Sequence, residues 1–173
     1  HGEASKAGSP RVLFSAHGLP ERVVAGGDPY QWQIERTAEA VAAKTALAGL
    51  DWVVCYQSRV GPLEWIGPST EEELARAGRD RVPVVVVPIA FVSEHSETLV
   101  ELDIEYRAEA DRLGIPAYVR VPAVAKHPAF IAALDSLVRS NLVDGPALDS
   151  GAGGRICPAE CGRCALAGRS ATP

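Results

Sequence analysis

The chain has 173 residues, is 47% hydrophobic and carries a net charge of -5. This length fits one domain with a tail and is enough to bury a core. The acidic balance argues against a nucleic-acid partner, and no apolar run approaches the roughly 20 residues of a membrane span. Residues 1–10 are rich in Gly, Ser and Pro and are expected to be a linker or remnant; a chain without Met that starts at His1 leads to the expectation of a processed or partial polypeptide.

Arg11 to Ala16 is an apolar run that suits a buried first strand, followed by a turn-rich stretch to Pro29. A helix is expected from Tyr30, with Asp28 as N-cap, Pro29 in the first turn and Tyr30, Ile34, Ala38 and Val41 on one face. Trp52 to Gln57 is the second strand. A loop broken by Gly and Pro leads to a short helix over 70–77, which Gly78 is expected to close. Val82 to Ile89 is the third strand; its unbroken valines suit a parallel sheet covered on both faces. A long helix follows from about His95 to Leu113, capped by Ser93, with Leu99, Leu102, Tyr106, Ala110 and Leu113 as its apolar stripe. Ala117 to Val121 is the fourth strand, and 128–142 the last helix. This alternation predicts an α/β fold: a Rossmann-like, three-layer α/β/α domain over residues 11–143, built on a four-stranded parallel sheet, with a C-terminal extension over 144–173. The G-x-G-x-x-G dinucleotide fingerprint is absent.

Ligands of open parallel sheets bind beyond the carboxyl ends of the strands. That rule selects the loops carrying His17, Tyr56, Gln57, Ser58, Trp65, Phe91, His95 and Glu97. His17 suits a general base or metal ligand, although loop histidines are also held by backbone partners. Glu97, Glu101 and Glu105 recur every four residues, which reads either as a solvated helix face or as a row of carboxylates leading cations or protons to the sheet edge. The aromatic rings could pack on a flat ligand or serve as core anchors.

Cys157, Cys161 and Cys164 stand in a C-x₃-C-x₂-C cluster, suited to zinc or an iron–sulfur cluster, each of which usually takes four ligands. Cys55 lies within a strand and reads as a small buried hydrophobe. Clustered thiols of this kind point to metal binding in a reducing compartment rather than to a disulfide framework.

The segments Leu13–Pro20, Gly27–Tyr30, Tyr56–Pro62, Trp65–Pro68 and Pro88–Tyr106 resemble, in order, the motif blocks of the ferrochelatases. The likeness runs from Arg11 to about Leu142 and implies the second of two Rossmann-like domains, followed by a cysteine-bearing extension. It implies insertion of Fe²⁺ into protoporphyrin IX or a related porphyrin to form haem. His17 and Glu97 would then be catalytic, with His17, Glu97 and Glu101 handling the metal, and Tyr56, Gln57, Ser58, Trp65 and His95 shaping the porphyrin pocket. It also implies a [2Fe-2S] cluster on Cys157, Cys161 and Cys164, with a fourth ligand outside this chain. The expected partners are the porphyrin and an N-terminal domain that this chain lacks; the expected location is the cytoplasm, with peripheral membrane contact through that missing half. A cobalt chelatase of corrinoid synthesis, and a non-catalytic porphyrin- or iron–sulfur-binding half-domain, are the alternatives.

Overall fold

The apolar runs of the sequence form one parallel sheet: β1 (Arg11–His17), β2 (Asp51–Gln57), β3 (Val84–Pro88) and β4 (Tyr118–Arg120), in the order β2-β1-β3-β4. The coordinates are a computed structural model and describe residues 1–143, 150–152 and 154–168. The helices are α1 (Glu21–Ala25), α2 (Tyr30–Lys44), α3 (Thr70–Asp80), a π-helix over Glu97–Glu105 that runs into α4 (Tyr106–Arg112), and α5 (Pro128–Val143). Among the described residues, no helix is long and apolar enough to cross a membrane.

Strand alternation sorts the side chains into two cores. Leu13, Cys55, Val84 and Val86 face Leu74, Ala77, Leu102, Tyr106 and Ala110 of α3, the π-helix and α4. Val12, Phe14 and Val85 face Ala38 of α2. Helices thus cover both faces, giving the three layers expected. At the amino end of the sheet, the buried Arg11 guanidinium pairs with Asp51 and Asp80, both at 2.8 Å. Its charge is thereby matched on both sides, as a buried cation requires.

Several details depart from the sequence expectations. Residues 4–6 form a 3₁₀ turn, and Ala4 is fully buried beside Val12 and Phe14, so this part of the supposed linker belongs to the core. Helix α3 passes through Gly78 and ends at Arg81 in a left-handed conformation. Glycine is needed at 78 for proximity: a Cβ there would lie 2.9 Å from the Leu113 carbonyl oxygen. The helix expected from His95 is π-helical through its first nine residues, and Ser93 does not cap it. A π-helix carries more than four residues per turn. The buried line is therefore Thr98, Leu102, Tyr106 and Ala110, while Leu99 is rotated out to 47% exposure. On α5, Ile131, Leu134, Leu137, Val138 and Leu142 are exposed. The boundary expected at residue 144 lies outside the described residues.

Candidate active site

Connections from the neighbouring strands β1 and β3 leave toward opposite faces of the sheet, α2 on one side and the π-helix on the other, which opens a crevice at their carboxyl ends. His17 is the last residue of β1. Alternation puts it on the same face as Leu13 and Ser15, the face the π-helix covers. Its Nε2 lies 3.8 Å from Oε2 of Glu97, and the two side chains keep 40% and 37% of their surface, so both are open to a ligand. They line an open cleft of about 440 Å³ with Ser58, Val60, Ser96, Val100, Glu101 and Glu105.

The His17 tautomer follows from its partner. Nδ1 lies 2.6 Å from the Gly18 carbonyl oxygen, which can only accept, so Nδ1 carries the hydrogen and Nε2 of the neutral ring offers its lone pair toward Glu97. The Tyr30 hydroxyl donates to the carbonyl of His17 at 2.9 Å and steadies the strand end. Burial, with Glu97 nearby, pushes the Tyr30 phenol up to about 12, so it stays a donor. In the sequence Tyr30 reads as an apolar helix-face residue that closes the Gly27–Tyr30 block; no local signal announces its hydroxyl contact.

Glu101 is held tightly. Its carboxylate accepts from Gln57 Nε2 at 3.0 Å, from Ser58 N at 2.7 Å, from Ser58 Oγ at 2.5 Å and from the Tyr106 hydroxyl at 2.9 Å. Ser58 makes its two bonds from a left-handed backbone conformation, φ 59°, which costs a non-glycine residue energy and tends to occur at functional sites. The row Glu97, Glu101, Glu105 therefore lines the cleft but is not uniform. Glu97 faces the histidine, and Glu101 anchors the helix to the end of β2.

Of the residues expected to shape a pocket, only Ser58 reaches this cleft. Tyr56 is 1% exposed and packs with Ala16, Ile34 and Ile66 on the α2 side, because alternation turns it away from the π-helix. Gln57 points toward the cleft face but is completely buried. Trp65 lies against Gly18, its ring 3.2 Å from where a Cβ would stand. His95 accepts from the Glu97 backbone N–H through Nδ1 at 3.1 Å and sits 5.1 Å from the Phe91 ring, outside the cleft lining.

The cysteine loop docks elsewhere, on the turn between α1 and α2, where the Arg163 N–H donates to the Gly27 carbonyl at 3.0 Å. Arg155 organises it by donating to the carbonyls of Cys157, Pro158, Ala159 and Cys161. Cys157 and Cys164 are neighbours that shift one another: burial and Cys164 raise the Cys157 thiol, while the Leu166 backbone N–H and Cys157 lower Cys164. Cys161 is buried and lines a different hollow, with Asp28 and Trp32. Among the described residues, no three ligand-type side chains come together. Burial pushes the Cys55 thiol up to about 12, in keeping with an inert core residue.

The ferrochelatase family model matches residues 2–142. The chain belongs to the ferrochelatase family. A ferrochelatase of Caulobacter vibrioides is 54% identical over 162 residues, covering 92% of this chain and 46% of that protein. A ferrochelatase of a Wolbachia strain from Drosophila simulans is 55% identical over 134 residues, 78% of this chain and 42% of that protein. The chain thus spans about half the length of the curated ferrochelatases it matches. The Caulobacter match covers more than residues 2–142 alone could supply, so it runs on into the tail. Among solved structures, a cobalamin (vitamin B12) biosynthesis CbiX protein of Marinobacter aquaeolei overlays at a TM-score of 0.49 with 19% identity, over 79% of this chain and 99% of that one.

Proposed function

We propose that this chain supplies the metal-handling half of a ferrochelatase, in which Fe²⁺ and a porphyrin are the substrates and haem the product. The observation that carries this reading is the His17–Glu97 pair across the cleft, 3.8 Å apart and open to solvent. Two such atoms can both reach one ion at bonds of roughly 2 Å. An imidazole with a carboxylate suits a borderline divalent ion such as Fe²⁺.

Metallation must also remove two pyrrole protons. The Nε2 lone pair of His17, left free by the Gly18 carbonyl, holds either the ion or a proton, so we assign it one of the two protons only after Fe²⁺ has passed to the ring, and the Glu97 carboxylate the other. Ser58 contributes the cleft wall. Glu101, with both oxygens already hydrogen-bonded, is assigned an anchoring role rather than direct ligation, and Glu105 continues the acidic wall outward. Tyr56, Gln57, Trp65 and His95 would act on a porphyrin only from behind the lining. A domain running from about residue 11 through α5, with residues 144–173 as an appendage, remains part of this reading. So do an N-terminal partner domain, a cytoplasmic location and membrane contact through that partner.

For the tail, the family resemblance implies a [2Fe-2S] cluster. The described arrangement offers two neighbouring thiols, Cys157 and Cys164, with Cys161 turned away, so it does not fit a cluster.

The experiment is anaerobic metallation by the whole polypeptide that carries this chain, followed through the visible spectrum of haem. His17→Ala should abolish iron insertion with the fold intact. Wild-type rates in that variant would remove the assignment.

A further inference from the structure

Gln57 makes three side-chain hydrogen bonds inside the protein and faces the cleft side of the sheet without reaching the cleft. It ends β2, is completely buried, and is the strand partner of His17 in the β1–β2 register. Its Oε1 accepts from the buried Ser15 hydroxyl at 2.8 Å. Its Nε2 donates to the backbone carbonyl of Glu97 at 2.8 Å and to the Glu101 carboxylate at 3.0 Å. The amide orientation is fixed from both ends: two groups that can only accept face the nitrogen, and a hydroxyl serves the oxygen.

We propose that Gln57 is a positioning residue that sets the gap between His17 and Glu97. The residue beside His17 in the sheet holds the backbone of the residue facing it, so the two halves of the site share one buried amide. This extends the reading of His17 and Glu97 as a metal-handling pair and rests on it. No other natural side chain of this length offers two donors and one acceptor in this geometry. Glutamate would set a carboxylate against the Glu97 carbonyl and the Glu101 carboxylate, and methionine would offer nothing. Without the amide, the Glu97 carbonyl loses its tie to β2; the tie that remains lies one turn on, from Ser58 to Glu101, so the first turn and Glu97 with it can shift. Catalytic and ligand geometry is lost to small displacements of this kind.

The test uses this 173-residue chain and Mn²⁺, a paramagnetic ion that favours oxygen ligands such as Glu97 over thiolate and so leaves the cysteine tail aside. The readout is Mn²⁺ broadening of the histidine ring-proton NMR signals. The His17 signal is assigned by its loss in His17→Ala, and the His1 and His127 signals serve as internal controls. Gln57→Met should need at least tenfold more Mn²⁺ to half-broaden the His17 signal, at a temperature well below its unfolding. Ser15→Ala, which removes the bond that orients the amide together with a buried contact to the Thr70 hydroxyl, should shift the half-point in the same direction by a few-fold, and it decides the matter if Gln57→Met does not fold. Half-points within twofold of wild type in the folded variants, while Glu97→Gln loses the response, would overturn the positioning role and leave the site intact. An unchanged response in Glu97→Gln would instead sink the metal-handling reading itself.

Discussion

The Nδ1 atom of His17 lies 2.6 Å from the carbonyl oxygen of Gly18, its own neighbour in the chain. One peptide group therefore decides which ring nitrogen faces Glu97. Gly18 is in turn wedged: a Cβ there would lie 3.1 Å from the Gln57 carbonyl oxygen and 3.2 Å from both Arg59 and the Trp65 ring. Gly18→Ala should destabilise the protein by about 1–3 kcal/mol through overpacking. It should also weaken metal binding at His17, because the carbonyl that orients the ring must move. Urea denaturation, together with Mn²⁺ broadening of the His17 signal, reads both effects; a change in neither would refute the wedge.

Gly78 offers a test free of the site. Alanine is the better helix former by about 1 kcal/mol, yet a Cβ at 78 would stand 2.9 Å from the Leu113 carbonyl oxygen. We expect Gly78→Ala to destabilise by about 1–3 kcal/mol, the clash outweighing propensity. A raised unfolding midpoint would show that α3 and the end of α4 are less closely packed than described.

Arg120 ties β4 to the Phe91–His95 loop and the π-helix, donating to Glu94 at 2.6 Å and to both oxygens of Asp103. Arg120→Met should cost about 2–3 kcal/mol, less than a fully buried pair would lose, because the two carboxylates keep about 30% and 28% of their surface. The pH dependence has a definite sign. Burial alone would raise the Glu94 carboxyl, but the nearby Thr98 hydroxyl and hydrogen bonds from Arg120 and the Ala123 N–H outweigh it and hold it below its ordinary value. A carboxyl lowered by folding stabilises above its unfolded value of about 4.3 and loses that contribution as pH falls through the folded value. Denaturation at pH 7 and pH 3.5 should thus show the gap between wild type and Arg120→Met narrowing in acid. A constant gap would mean that the pair adds nothing through charge.

Gly27, at φ 93°, would place a Cβ 2.9 Å from the backbone nitrogen of Gly162. Gly27→Ala should loosen the cysteine loop from the α1–α2 turn, seen as faster proteolysis near Arg155 and Arg163, while the His17 signal keeps its Mn²⁺ response. Unchanged cleavage would place the loop's attachment elsewhere.

The strands are legible because valine-rich runs and turn residues mark them, and the carboxyl-edge rule by itself selects His17, Ser58 and Glu97. The π-helix was not legible. A spacing of four keeps Glu97, Glu101 and Glu105 on one side of either helix type, and only the outward turn of Leu99 separates them. Tyr56 and Gln57 stand back from the cleft for a related reason. Position at a strand end indicates nearness to the cleft, but alternation sends Tyr56 into the α2 core and hydrogen bonding consumes Gln57. The bare spacing of three cysteines likewise carried no information that Cys161 would be folded beneath the loop.

Residues 97–105 wind with wider turns than the helix they feed, so this stretch is defined by its count as much as by its letters. A one-residue deletion would let the ordinary winding take over and re-phase every carboxylate upstream of Tyr106. Exchanges of single letters on its outer side leave the phase alone. Its outward-facing positions should accordingly drift in spelling over time while its length stays fixed.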